Sequence, residues 1–372
     1  MKITSLKLHP VATPRQYGTV IAKAGGQARD VVQKSFFFLL ELQTDTGLTG
    51  WGEVSDIPVD ELPEDTAEFA DLIRVFTMDR SPYDVQRLHH EFTEHFETGE
   101  GALARYTRCA LDAAFYDLQG QAAKRPVYDL IGGAVRRKID ISWVAYIREE
   151  EELLAEEIRE KVAQGFHAFK LKVGVDIELD ERRVALTREI GGKSVSIKVD
   201  ANEGWSVEDA PTYIERLNKY RLDGVETPVP RENPEDIAAV REQSDVLILE
   251  HVSSPEFGLA LLQANAVDVF NISVPGCGGI WPARQIVSLA EGAGLGILIG
   301  STVELGPGSL GQLHLASTVR NLTLPSDLIG PGMYVDDVLK TRLTYDKGQL
   351  AVPSAPGLGC EVDPAKLRRL AF

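Results

Sequence analysis

The sequence predicts an α/β fold: a modified TIM-type β/α barrel with an N-terminal α+β capping domain completed by the C-terminal segment. Three observations lead there. From residue 134 onward, short apolar β-like runs alternate with charged helical stretches seven or eight times, the pattern of a β/α barrel. The first 133 residues instead run from strands to helices, and the last segment, 336–372, returns to turn-rich β texture. The expected units are therefore 1–133, 134–335 and 336–372, the last folding back over the first.

Taken in order, ITSLKLHPV and SFFFLLELQTDTGLTGWGEVS read as antiparallel strands separated by Thr-Gly turns. Between them, residues 12–30 are polar, contain glycine and show no clear period, so they read as a long loop and a candidate lid. From Pro63 to Gly133 apolar residues recur at three and four, most clearly in ALARYTRCALDAAFYDLQGQAAK, the signature of helices. The barrel then follows as pairs: IDISWVAYI with EEEELLAEEIREKVAQG, HAFKLKVG with LDERRVALTREIGG, VSIKVDAN with VEDAPTYIERLNKY, and DGVETPV with NPEDIAAVREQ. DVLILEHV, VDVFNISV and LGILIGST continue the series.

Bulk composition narrows the function. A chain of 372 residues, 44% hydrophobic and 26% charged, describes a globular protein without a membrane-length apolar run. Its start lacks the apolar block of a signal peptide, so a cytoplasmic protein is expected. A net charge of −17 disfavours nucleic acid and anionic lipid surfaces as partners. Cys109, Cys277 and Cys360 are odd in number, far apart and without CxxC spacing, against both a disulfide framework and a thiolate metal site.

In a β/α barrel the chemistry sits at the C-terminal ends of the strands. Those ends carry Lys170 and Lys172 in FKLKVG, Asp200 in IKVDAN, Glu226 in GVETP and Glu250 in LILEHV. The carboxylates recur at about one βα unit, so three successive strands would aim them at one point. Three acids that close repel unless a divalent cation sits among them, and an all-oxygen set suits Mg²⁺, with Mn²⁺ as a substitute. Period-2 geometry sends Lys170 and Lys172 to the same face. A lysine beside a metal in a low-dielectric pocket has its ammonium disfavoured and can act as a base. Lys172, nearer the mouth, is the expected proton-transfer group; Lys170, one layer deeper, is expected to keep Lys172 unprotonated and to contact a substrate carboxylate. Base and metal together suggest abstraction of a proton alpha to a carboxylate, with the cation stabilising the enediolate, the chemistry general for enolase-type sites.

These motifs resemble the enolase superfamily, in its muconate lactonizing enzyme and mandelate racemase branch, over nearly the whole chain. TDTGLTGWGEVS is similar to the family's N-terminal hairpin, ALDAAFYDLQGQAAKRPVYDLIGG to its capping helix and exit, FKLKVG to its K-x-K element, and VDAN, VETP and CGGI to its barrel signatures. GSTVELG and DLIGPGMYVDDVL resemble the seventh and eighth strand regions. The resemblance implies Mg²⁺ on Asp200, Glu226 and Glu250, catalysis by Lys172, a small-molecule carboxylate substrate and a symmetric homo-oligomer.

The departures bear on mechanism. Glu250 is followed by His251, where muconate-type members carry Asp followed by Glu, and Ser273 stands where they place a lysine and racemase-type members an aspartate. The seventh strand lacks the racemase-type histidine, although Glu304 matches a muconate-type glutamate. One face of the enolate thus lacks an evident base, with Lys198 and His251 as candidates to serve it. A base on one face fits cycloisomerisation or syn elimination of water. The leading expectation is a cycloisomerase or racemase-like isomerase, with a hydroxy-acid or acid-sugar dehydratase and a catalytically silent carboxylate-binding or scaffold relative as alternatives. Specificity is expected from the 12–30 loop and from GWGEVSDIPVDELP, with Arg15, Tyr17 and Lys23 offering a second carboxylate contact.

Overall fold

A computed structural model describes residues 1–96, 101–148 and 150–372; residues 97–100 and 149, within runs expected to be helical, lie outside the described residues. The N-terminal strand Ile3–Thr19 pairs antiparallel with Val32–Thr44, which pairs with Thr49–Val54. Phe37, Phe38, Leu39 and Leu40 are all buried, so this strand is covered on both faces, which explains a continuous apolar run where a half-exposed strand would alternate. Helices Thr66–Thr77, Val85–His95 and Ala102–Ala123 pack behind the sheet. Asp65 starts the first of them by accepting the backbone N–H of Ala67 at 2.7 Å. The approach of the long helix to the Thr49–Val54 strand requires a residue without a side chain: a Cβ at Gly52 would fall inside the Ala110 carbonyl.

The barrel follows, and its alternation is regular. Among the described residues seven parallel strands lie side by side in chain order: Trp143–Ala145, Ala168–Lys172, Ser196–Asp200, Gly224–Glu226, Ile248–His251, Val269–Ile272 and Gly296–Ile299. An irregular eighth stave closes the ring. On one side Thr323 N–H donates to Ile297 O and Asp327 N–H to Ile299 O, both at 2.9 Å. On the other side Ser326 N–H donates to Asp140 O at 2.9 Å and Ser142 N–H to Ser326 O at 2.8 Å.

The 12–30 stretch corrects the expectation of a long irregular loop. The first strand continues to Thr19, and a short hairpin, Ala22–Lys23 against Gln27–Ala28, follows it. Period-2 patterning was hidden because Arg15, a polar residue at a buried position, is neutralised by partners distant in sequence. The hairpin tip rests over the mouth of the barrel: a Cβ at Gly26 would meet the carbonyls of Gly204 and Gly174, which lie just past the third and second strands. The C-terminal segment pairs Gln349–Ala351 with Lys138–Asp140 and then reaches the capping sheet, where Phe372 stacks edge-on against Phe36 at 5.2 Å.

Acidic side chains tie the two parts together. Asp112 of the long capping helix accepts Ile280 N–H at 2.7 Å at the start of barrel helix Ile280–Ala293. Glu53 accepts Gly308 N–H at 2.7 Å and Leu305 N–H at 2.9 Å at the start of barrel helix Gly306–Thr318. Helix starts leave such N–H groups unpaired, so each carboxylate caps a helix of the other part. No helix among the described residues is long and apolar enough to cross a membrane. The three cysteines are unpaired thiols.

Candidate active site

Strand register brings the site together. Lys172 pairs with Asp200 and Asp200 with Glu226 on adjacent strands, so the three stand at one level of the barrel. Lys172 Nζ lies 2.7 Å from Asp200 Oδ2. One layer deeper, Lys170 Nζ reaches Glu226 Oε1 at 2.7 Å, Asp327 Oδ2 at 3.0 Å and the same Asp200 Oδ2 at 3.1 Å. Both ammonium groups therefore share one carboxylate oxygen.

Three carboxylates surround Lys170. Burial alone would disfavour its charge, but Asp200, Asp327 and Glu226 outweigh that and hold it well above the usual lysine range. Burial likewise pushes Glu226 up, and Lys170, His251 and Lys198 more than reverse this, holding it well below the usual carboxylate range. Lys170 is thus a fixed cation at the floor of the site, with its donors directed to protein carboxylates.

Glu226 is used asymmetrically. Its Oε1 receives Lys170, Asn271 Nδ2 at 2.8 Å and His251 Nε2 at 2.7 Å, while its buried Oε2 has no partner among the described residues. Glu250 repeats the pattern: Oε1 accepts the Thr227 hydroxyl at 3.1 Å and His251 N–H at 2.7 Å, and Oε2 is buried without a partner among the described residues. Burial pushes Glu250 up to about 7, against the pull of Arg231 and His251. Two orphaned carboxylate oxygens beside Asp200 fit a hard divalent cation, which would satisfy both. Among the described residues, the group whose ligand atoms all lie within 4.8 Å of one another is Asp200, Glu226 and His251, and Glu250 stands outside it.

The remaining candidates scatter. Lys198 is buried between Asp327 Oδ1, at 2.7 Å, and Pro325 O, at 2.8 Å, and burial lowers its proton affinity. Arg15 is fastened to Asp56 at 2.6 Å and to Ser35 Oγ at 2.9 Å. Tyr17 donates to Glu157 Oε1 at 2.7 Å on barrel helix Glu151–Ala163 and stacks under Arg148, on the outside of the barrel. Ser273 accepts Gly276 N–H at 3.3 Å, starting the short Val274–Cys277 turn. Glu304 is buried and bound by Thr302 and Gln312; burial raises it. Of this group His251, through Glu226, and Lys198, through the Asp327 carboxylate it shares with Lys170, join the lysine–carboxylate network.

Sequence reasoning missed Asp327, Asn271 and Tyr146. Asn271 precedes Ser273 by two residues and so shares its face, a signal that period-2 reading could have used. Tyr146 extends the first strand, where Ala145 pairs with Leu171, which puts the tyrosine beside Lys172. Asp327 carries no such signal because it ends the irregular closing stave.

Two family models match the chain. Residues 19–132 match the mandelate racemase / muconate lactonizing enzyme N-terminal domain, and residues 153–366 match the enolase C-terminal domain-like family. The chain belongs to the mandelate racemase / muconate lactonizing enzyme family. Within this family it is 29% identical to N-succinyl-L-Arg/Lys racemase from Bacillus cereus, over 100% of this chain and 98% of that one. It is 27% identical to muconate cycloisomerase 1 from Acinetobacter baylyi, over 91% and 93%. Among solved structures, 2-chloromuconate cycloisomerase from Rhodococcus opacus matches with a TM-score of 0.88 at 25% identity, covering 100% of both chains. Dipeptide epimerase from Enterococcus faecalis, complexed with Mg and the dipeptide L-Leu-L-Tyr, matches with a TM-score of 0.85 at 28% identity, over 97% of this chain and 100% of that one. The chain is an enzyme of the enolase superfamily, and these relatives are isomerases.

Proposed function

We propose that the chain is a Mg²⁺-dependent isomerase that removes a proton alpha to a carboxylate of a small acid, with Lys172 as the base. The observation that carries the reading is the pair of buried, unpartnered oxygens, Glu226 Oε2 and Glu250 Oε2, beside the Lys172–Asp200 contact. Asp200, Glu226 and Glu250 would hold the metal. Bound there, Mg²⁺ supplies positive charge against the enediolate that proton loss creates.

Every other role falls to the chain itself. Asp200 Oδ2 holds the Lys172 amine at the mouth, and the same oxygen receives Lys170 from below. Lys172 takes the α-proton and returns it on the same face. Across the ring, Ser273 offers no titratable side chain and spends its hydroxyl on a backbone N–H. Base on one side only supports cycloisomerisation over two-base racemisation. Syn elimination of water from a hydroxy acid uses the same one-sided geometry and is the second reading.

The test is proton exchange in D₂O with Mg²⁺ and a panel of muconates, N-acyl amino acids and hydroxy acids, followed by NMR. Exchange or turnover that disappears in Lys172→Ala supports the assignment, and product identity separates a lactone from a dehydrated keto acid. Tight binding of a panel member with no exchange in the parent enzyme overturns it in favour of a silent carboxylate-binding relative.

A further inference from the structure

The turn that carries the chain out of the second strand, just past Lys172, is gripped by the helix that follows it. Ladder pairing between the first two strands stops at Ala145 and Leu171, one residue short of Lys172. Past that point a side chain takes over. Arg183, on helix Ile177–Gly191, donates through Nη1 to Lys172 O at 2.5 Å, and through Nη2 to Tyr146 O at 2.8 Å and Ala145 O at 3.4 Å. One planar guanidinium thus stitches the C-terminal ends of both strands together, a span that its fork of donors suits. Three residues earlier on the same helix, Asp180 lies 3.8 Å from Arg183 Nη1 and accepts Gly174 N–H at 2.8 Å. The Val173 N–H between these contacts goes to Asp200 O at 2.9 Å.

The backbone from Lys172 to Gly174 is therefore held at every residue. Gly174 has a φ of +103°, and a Cβ there would lie 2.5 Å from Ala201 O, so the chain turns in a space that no side chain could share. Among the described residues the Lys172 amine itself has one ion-pair contact, Asp200 Oδ2, so its position depends on where its own backbone is fixed. Arg183 is fully buried, and burial pulls it down only to about 10, so it keeps its charge at neutral pH. Enclosing a guanidinium costs free energy that an apolar side chain in the same place would avoid. Carbonyls beyond the end of a ladder, which need donors, offset that cost.

From these contacts we infer that Arg183 is a positioning residue for proton transfer: by fixing the Lys172 carbonyl against the end of the first strand, it holds the amine in line over Asp200. The inference rests on the reading of Lys172 as the base and adds what keeps that base in place. With both terminal nitrogens spent on backbone carbonyls, Arg183 acts through Lys172 and not on the substrate. A second arginine of the same helix supplies the control. Arg188 donates to Tyr220 O at 2.8 Å, Gly192 O at 2.9 Å, Val195 O at 2.7 Å and Arg221 O at 2.9 Å. Val195 precedes the third strand, Ser196–Asp200, so this is the same kind of grip at the opposite end of the barrel, away from the chemistry.

The experiment compares Arg183→Met with Arg188→Met in the full-length, Mg²⁺-loaded protein, using a panel acid that the parent turns over and recording Tm for both variants. Arg183→Met should lower kcat by about tenfold to a hundredfold with KM little moved, the loss expected when a base shifts by up to about an ångström. Arg183→Lys, which offers one compact donor group in place of a fork, should recover part of it. Arg188→Met should lower Tm and leave kcat near the parent value. Amide hydrogen exchange, read by mass spectrometry on peptides covering 168–175, should speed up in Arg183→Met and not in Arg188→Met. An unchanged kcat in Arg183→Met, an equal fall in kcat for both variants, or unchanged amide exchange over 168–175 overturns the inference; if Arg183→Met does not fold, Arg183→Lys is read in its place. Should no panel acid turn over in the parent, the proton-transfer reading fails by itself, and the amide measurement alone decides whether Arg183 fixes Lys172.

Discussion

Replacing Lys170 by methionine is the perturbation that most directly probes the floor of the site. Its ammonium lies within 3.1 Å of Asp200, Glu226 and Asp327, all buried, so the variant leaves an acidic cluster without its central charge. Removing one partner of a buried ion pair costs about 3–5 kcal/mol. With an unfolding entropy of ~2.1 cal/mol/K per residue, a chain of 372 residues loses about 1.3 °C in Tm per kcal/mol, so the expected drop is roughly 4–6 °C. Differential scanning calorimetry in EDTA reads it. Added Mg²⁺ should recover part of the loss, because a cation among Asp200, Glu226 and Glu250 replaces some of the missing charge. An unchanged Tm in EDTA, or a variant insensitive to Mg²⁺, would refute the view that Lys170 and a divalent ion neutralise the same acids.

Three further outcomes follow from particular contacts. Lys172→Ala should abolish deuterium exchange while lowering Tm by less than Lys170→Met, since Lys172 pairs with one acid and lies nearer solvent; equal Tm losses would contradict this division of roles. His314, buried between Tyr128 N–H and Leu358 O, is held down to about 4 by burial, against a usual value near 6.5, so its stabilising effect is complete above pH 6.5 and lost as pH falls toward 4. That loss amounts to about 3 kcal/mol, and the Tm gap between the parent and His314→Gln should narrow over this window, whereas a constant gap would count against it. Gly52→Ala should push the capping hairpin off the long helix and depress Tm or soluble yield, and a fully stable variant would show that the two elements can separate without cost.

Strand–helix alternation, and the lysines and acids at strand ends, were legible because barrel periodicity puts successive strand ends at one level. FKLKVG, VDAN and VETP therefore lead to the Lys170, Lys172, Asp200 and Glu226 cluster without any long-range information. Direction of loop side chains was not legible. Arg15 and Tyr17 lie two residues apart on one strand, yet one is locked to Asp56 and the other to Glu157 on the outer helix, because their partners sit 41 and 140 residues away. Asp327 was invisible for a related reason: it ends a stave held by scattered backbone bonds in place of a regular ladder, so no period announces it.

Shared helix caps constrain how a small molecule gets in and out. Swinging the lid domain away as a block would strip Glu53 and Asp112 from the starts of two barrel helices and expose several unmet donors at once. Among the described residues the Ala22–Ala28 turn carries no comparable bonds, and it lies above the second and third strands, so traffic should pass beneath it while the two halves stay clasped. Turnover in this enzyme should accordingly respond to stiffening that flap, for instance by proline or a cross-link, far more than to tying the halves together.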